Sequence, residues 1–185
     1  MGSIPPVCDF GWKAVDATLP GIDGKLHSIF GASGANGLVV AFICNHCPYV
    51  KAVIQRIVRD ANDLKPHGIG FLAISSNDAA AYPEDSFANM KAFAERHGFT
   101  FPYLYDADQT AARAYGAVCT PDFFGFNGAL ELQYRGRLDA SRKDAASAYL
   151  RRDLYEAMVG VAGTGRGPAE QIASIGCSIK WRETA

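Results

Sequence analysis

Two runs of apolar residues with different periods define the centre of the chain. LVVAFI, residues 38–43, is continuous, β-branched and of strand length, as a strand covered on both faces would be. Beyond Cys47 the period lengthens: Val50, Val53, Ile54, Ile57, Val58, Ala61 and Leu64 share one helical stripe, with Lys51, Gln55, Arg59 and Asp63 elsewhere. Lys65-Pro66-His67-Gly68 stops this helix, and GFLAIS, residues 70–75, reads as a second buried strand. Strand, helix and strand of this size predict a parallel, right-handed crossover unit.

The flanks carry weaker signals. Stretches near Trp12 to Thr18 and Lys25 to Ile29 surround PGIDG and predict an N-terminal hairpin, with GASGANG as a flexible connector to the first main strand. Pro83 followed by Glu84 and Asp85 opens a helix with Phe87, Met90 and Ala94 inward and Gly98 beyond its end. PYLYD is a short strand, and Asp106 with Gln109 resembles a capping box for a helix to Tyr115 that stops at Gly116. DFFGF and ALELQYR flank Asn127-Gly128, which predicts a hairpin closed by a two-residue type I′ turn. A last helix, near Ala145 to Val161, presents Leu150, Leu154, Met158 and Val161, and GVAGTGRG then links to a tail, SIGCSIKW. The expectation is a single α/β domain with an N-terminal extension, 1–34, and a C-terminal tail, 162–185.

Composition narrows the function. Apolar residues make up 49% of the 185 positions and charged residues 20%, the balance of a folded chain. Eighteen basic against nineteen acidic side chains, with no basic block, argue against nucleic acid. No stretch approaches the roughly 18 apolar residues of a membrane span, and the start carries no export signal, so a cytosolic protein is expected. Five cysteines, Cys8, Cys44, Cys47, Cys119 and Cys177, then read as catalytic thiols or metal ligands rather than a disulfide framework.

CNHCPYV, residues 44–50, holds the strongest candidate. A cysteine in the first turn of a helix faces unpaired N–H groups and the positive end of the helix dipole, and both favour its thiolate. Cys47 occupies that position, with Pro48 suited to a helix start and Lys51 one turn on, where its charge can stabilise the sulfur. His46 adds to this when protonated. VCTPDFF places Thr120-Pro121 before the hairpin's first strand, where a cis bond fits because proline cannot belong to a paired central strand. Two other readings stay open. Cys44, Cys47 and His46 have ligand spacing, and Cys119 with Cys177 would complete a four-thiolate set for zinc, or fewer thiolates would hold Cu(I). Free cysteines are also often small buried hydrophobes.

The order of elements, with a cysteine where strand passes to helix and Thr-Pro before a hairpin, resembles the thioredoxin fold. The N-terminal hairpin and the helix after Pro83 resemble additions of its peroxiredoxin-like (AhpC/TSA, redoxin) branch. AFICNHCPYV, GAVCTPDFFGF, YRGRLDA and SIGCSIKW carry the likeness across nearly the whole chain. The resemblance implies an α/β thioredoxin-like fold with a central mixed sheet flanked by helices, an N-terminal β-hairpin extension and an inserted helix. It implies a thiol-dependent oxidoreductase with an antioxidant role, needing no cofactor, in which Cys47 attacks a peroxide or disulfide. A dithiol reductant such as a thioredoxin-type protein restores the site, and self-association is left open. Thr120 and Pro121 would shape the substrate face, with His46 beside them. Departures accompany this: Val50 stands where thioredoxins place the resolving cysteine, and Ala41 replaces their buried acid. Val40 and Cys44 stand where peroxiredoxins place a proline and a threonine. Arg135 or Arg137 could supply a cation. The order of preference for the thiol that resolves Cys47 is Cys177, Cys119, Cys44, with Cys8 taking no part.

Overall fold

The structure, a computed structural model, describes residues 2–141, 144, 147 and 149–183. In chain order the strands are β1 (Gly2–Ser3), β2 (Thr18–Pro20), β3 (Leu26–Ser28), β4 (Gly37–Phe42), β5 (Ile69–Ser75), β6 (Tyr103–Tyr105), β7 (Cys119–Thr120), β8 (Asp122–Asn127), β9 (Leu132–Gly136) and β10 (Gly176–Ser178). The α-helices are α1 (Pro48–Leu64), α2 (Phe87–His97), α3 (Thr110–Tyr115) and α4 (Asp153–Thr164).

The central sheet is mixed, as expected. β8 pairs antiparallel with β4 and β9, β5 pairs parallel with β6, and β4 lies beside β5, where the Ile43 N–H donates to the Ile74 carbonyl at 2.9 Å. The continuous apolar run of β4 serves both sides. Val39, Ala41 and Ile43 face the core beneath α1, α2 and α4, whereas Leu38, Val40 and Phe42 face a second core with α3 and the N-terminal residues. No helix among the described residues is long and apolar enough to cross a membrane.

Local departures have identifiable causes. The hairpin strand begins only at Thr18, because Gly11, Trp12 and Ala14 instead exchange backbone hydrogen bonds with Leu130 and Leu132. The GASGANG connector is packed rather than flexible: Phe30–Ala32 form a 3-10 turn, and a Cβ on Gly70 would meet the Ala32 carbonyl at 1.8 Å. Pro83–Asp85 form a separate 3-10 turn, and α2 starts after Ser86, whose hydroxyl accepts from the Asn89 N–H; Phe87 consequently points outward. The capping box is not made. The Asp106 carboxylate accepts from Ala111 and Ala112, while Gln109 turns its amide to the carbonyls of Ser76 and Lys180.

The β8–β9 hairpin closes through the longer loop Gly128-Ala129-Leu130. The left-handed residue is Leu130, φ 57°, and the Asn127 side-chain oxygen accepts from the N–H groups of Ala129 and Glu131. α4 starts at Asp153, later than expected. Residues 149–152 precede it as irregular chain, and Ala145, Ala146 and Ala148 of the expected helix lie outside the described residues. Leu154, Met158 and Val161 are buried as expected, and α4 takes in Gly160 to Thr164 of the supposed linker.

The tail is held on both edges. β10 pairs antiparallel with β1 on one side and β7 on the other, placing Cys177 opposite Thr120. Beyond it, the Lys180 N–H donates to Asn77, the Lys180 carbonyl accepts from the Asp78 N–H, and Arg113 stacks on Trp181. The tail beyond the glycine-rich segment is thus the middle strand of a three-stranded ribbon.

Substituting Gly70→Ala forces its Cβ into the Ala32 carbonyl. A loss of about 1–3 kcal/mol of unfolding free energy is expected, read as a lower midpoint in chemical denaturation.

Candidate active site

The sulfur of Cys47 lies where β4, α1, β7 and β10 meet. Cys47 is the N-cap residue of α1, in an extended conformation, φ −62° and ψ 124°, with Pro48 opening the helix. Its sulfur is 2.9 Å from that of Cys177 and 3.2 Å from the Thr120 carbonyl, and the Thr120-Pro121 bond is cis. Cys47 is fully buried, and Cys177 above it is partly exposed.

The electrostatics single out one sulfur. The Cys47 thiol is pulled down from 9.0 to about 5, chiefly by the hydrogen bond from the Cys44 thiol, against the cost of burial, with further donors in the Cys177 thiol and the N–H groups of Val50 and Cys177. The Thr120 carbonyl works the other way, since it can accept from a thiol but offers nothing to a thiolate. The Val50 N–H is one of the unpaired groups of the first helical turn, so the helix start contributes as the sequence suggested, though less than the neighbouring thiol. Burial and the hydrogen bond to Cys47 push Cys177 up to about 11. At neutral pH the pair is one thiolate and one thiol in contact, the arrangement from which a sulfenic acid or disulfide forms with little movement.

The loop between Cys44 and Cys47 is pinned by a residue that the sequence reading treated only as a helix-start acid. Asp85, fully buried, accepts from the N–H groups of Asn45 and His46 at 2.8 and 3.3 Å. Its other oxygen accepts from His46 Nδ1 at 2.6 Å and Asn77 Nδ2 at 2.8 Å. Asn45 in turn accepts from the Tyr103 hydroxyl, and the His46 ring stacks on Tyr82. No periodic signal points to Asp85; the usable hint was that a tight Asn-His loop needs an acceptor for its N–H groups.

The other expected residues fall in different places. Cys44 is fully buried, its sulfur 3.3 Å from Thr120 Oγ1. The Cys119 sulfur turns toward the Pro121 carbonyl and the Ser174 hydroxyl, and burial pushes it up to about 12. Cys8 packs against the second core, pushed up to about 11 by burial. Lys51 is exposed on a cleft with Asn45, Glu84 and Arg96, and the groups that act most strongly on Cys47 do not include it. Arg135 is buried on Asp122 and Phe124, and Arg137 pairs with Asp153, so both cations are engaged in the frame of the hairpin and α4.

The four-thiolate metal set is not assembled. Among the described residues, the potential ligand atoms that gather within 4.8 Å are those of Cys44, His46 and Asp85. These do not fit a metal site, because both Asp85 oxygens are already occupied by four donors.

A family model described as the AhpC/TSA family matches residues 10–139. Two solved structures are similar along the full length. An uncharacterized conserved protein from Geobacillus kaustophilus is 43% identical with a TM-score of 0.93, covering 100% of this chain and 98% of that one. A hypothetical protein from Sinorhizobium meliloti is 36% identical with a TM-score of 0.92, covering 98% of this chain and 100% of that one. A peroxidoxin from Mycobacterium tuberculosis shares the fold at 16% identity and a TM-score of 0.61, covering 85% of this chain and 98% of that one. No curated protein matches.

Two outcomes follow from the geometry. Far-ultraviolet thiolate absorbance, which needs no reagent access, should titrate near pH 5 in the reduced protein and lose that step in Cys47→Ser. Because the folded pKa lies below the unfolded 9.0, the unfolded chain binds the extra proton between these values. Stability should therefore rise with pH across that window, more steeply than in Cys47→Ser. Separately, a Cβ on Gly176 would meet the Thr120 carbonyl at 2.0 Å. Gly176→Ala should lift β10 and raise the rate of Cys47 alkylation by about tenfold or more, since buried amides and thiols react through local opening.

Proposed function

The chain belongs to the AhpC/TSA family, and from that membership and the Cys47–Cys177 contact we propose that it is a thiol-dependent peroxide reductase with Cys47 as the attacking sulfur. The observation that carries the reading is a depressed thiolate held 2.9 Å from a second thiol. Cys47 as thiolate attacks the peroxide's outer oxygen; the O–O bond breaks, the leaving alkoxide or hydroxide takes a proton, and Cys47 becomes a sulfenic acid. The Cys177 thiol then attacks that sulfur, water leaves, and a Cys47–Cys177 disulfide forms. An external dithiol supplies two electrons and two protons, leaves as its own disulfide, and restores both thiols.

Peroxide is favoured over a protein disulfide by access. The backbone edge of Thr120, which would receive an extended partner, is already paired with β10, and the Cys47 sulfur is fully buried. A small oxidant needs only a narrow opening, whereas a protein strand must first displace the tail. Cys177, the first choice from the sequence, suits the resolving role better than Cys119 or Cys44, because of these three it is the partly exposed one and its sulfur touches Cys47. A dithiol reductant of the thioredoxin type suits this chemistry, and a reducing compartment such as the cytoplasm is where it would be supplied.

Limited hydrogen peroxide on the reduced protein, followed by peptide mapping, should yield a Cys47–Cys177 linkage. Cys177→Ser should accumulate a Cys47 sulfenic acid trappable by a dione, progress to sulfinic acid, and lose more than about tenfold in dithiol-supported turnover. Disulfide exchange with a model protein substrate that outpaces peroxide consumption would replace this reading with the disulfide one.

A further inference from the structure

The side chain of Asn77, buried just past the end of β5, divides its amide between two partners. Oδ1 accepts from the Lys180 N–H at 2.9 Å, and Nδ2 donates to Asp85 Oδ2 at 2.8 Å. Lys180 follows β10 in the tail that carries Cys177, and Asp85 accepts from the N–H groups of Asn45 and His46, the residues that lead into Cys47. One buried amide is thus bonded to the tail of one reacting sulfur and to the carboxylate that holds the loop of the other. The two partners call for an amide. A backbone N–H only donates and an ionised carboxylate only accepts, so the bridge needs an acceptor and a donor on one short side chain, and this also fixes which way the amide points. Aspartate has the same shape but lacks the donor, and alanine would leave both partners short of a bond.

The tail end of the bridge is itself held. The Lys180 carbonyl accepts from the Asp78 N–H and from Gln109 Nε2, and Gln109 Oε1 accepts from the Arg182 N–H, each at 2.9 Å. Gln109 makes these bonds from a left-handed conformation, φ 63°, which a residue other than glycine adopts only where its surroundings hold it there. A second link runs in parallel: Lys180 Nζ lies 5.5 Å from the centre of the Tyr82 ring, on which the His46 ring stacks.

We infer that Asn77 is a positioning residue for the resolving step: by bonding the tail and Asp85 at once, it keeps the Cys177 sulfur on Cys47. The inference rests on the peroxide reaction proposed above and deepens it by assigning what sets the fate of the sulfenic acid. Two reactions compete for that acid. The Cys177 thiol attacks it and water leaves as the disulfide forms, or a second hydrogen peroxide transfers an oxygen to the sulfur, leaves as water, and gives the sulfinic acid. The first is intramolecular and follows the fraction of time the two sulfurs are in contact, whereas the second needs only peroxide. Loosening either side of the pair therefore diverts Cys47 to the sulfinic acid.

The test treats the parent chain, Asn77→Ala and Asn77→Asp with limited hydrogen peroxide and measures, by mass spectrometry, the ratio of Cys47–Cys177 disulfide to Cys47 sulfinic acid. The ratio counts only molecules whose Cys47 has already reacted, so it does not depend on the rate of the first step. At about pH 7.5 it should fall about fivefold or more in both variants. At about pH 5 two facing carboxyls share a proton, the donor toward Asp85 returns, and Asn77→Asp should recover to within about twofold of the parent while Asn77→Ala stays low. The other charged or titratable groups around the bridge are His46 on Asp85, Cys44 and Tyr103 behind the loop, Lys180 in the tail, the Asp78–Arg182 pair, and Asp106 on the neighbouring Ser76. These are common to both variants, so only the bridge separates the two at low pH. A parent-like ratio in Asn77→Ala, or the same response to pH in both variants, would overturn the inference.

A second measurement uses the parent alone. The Lys180 amide should exchange with deuterium at a rate within about tenfold of the Ile179 amide, which donates to the Val118 carbonyl, because bridge and tail open together. An unprotected Lys180 amide beside a protected Ile179 amide would overturn the bridge. Failure of the peroxide reading looks different: the parent would then form no Cys47–Cys177 disulfide with peroxide, whatever its amides do.

Discussion

The antiparallel pairing of β10 with the Cys119-Thr120 edge is the constraint on which the site depends. It brings together two sulfurs 130 residues apart in the chain without a covalent link. Because strand side chains alternate, a slip of one residue would turn Cys177 away and present glycine or serine in its place. Gly176 lets the two backbones approach closely enough for the register to exist at all. β1 on the far edge and the contacts of Lys180 with Asn77 and Asp78 then hold the strand from both ends. Fixing the second thiol in this way turns an encounter between thiols into a pre-formed contact.

The same strand removes the site from water, and that has two opposed electrical consequences. Burial penalises a charged sulfur, yet hydrogen bonds aimed at it count for more where no solvent competes. The balance favours the thiolate because the Cys44 and Cys177 thiols and the N–H groups of Val50 and Cys177 together outweigh burial, which with the Thr120 carbonyl works against it. Around this centre the framework is polar but satisfied. Asp85 takes four donors from the loop and from Asn77, and so holds the turn that aims Cys47 and Cys44 at each other. A sulfur that is enclosed and 2.9 Å from its partner is placed for a disulfide to form without large motion.

Some parts of this were open to reading in the chain and others were not, and the difference follows range. The β4–α1–β5 unit, the placing of Cys47 at the helix start and the cis Thr120-Pro121 bond rest on local period and on proline chemistry. Local rules gave less secure results where a distant group competed for the same atoms. Gln109 left its expected capping role because the Asp106 N–H it would have accepted donates to the Ser75 carbonyl and its side-chain oxygen accepts from the Arg182 N–H, and the Asn127-Gly128 turn lengthened because the Asn127 side chain captured two backbone N–H groups further along. Lys51 has the right spacing to face the sulfur but points to solvent, where its charge is hydrated.

By itself, then, the sequence determined which sulfur stands at a helix start, which strands can be buried on both faces, and that a proline loop follows, since each depends on residues within a few positions of one another. Only the tertiary structure decided that Cys177 is docked opposite Thr120, that Cys119 faces elsewhere, and that Asp85 holds the loop leading to Cys47. Those outcomes are set by strand register and by hydrogen bonds between residues 40 to 130 positions apart, where chain distance carries no information about which atoms meet.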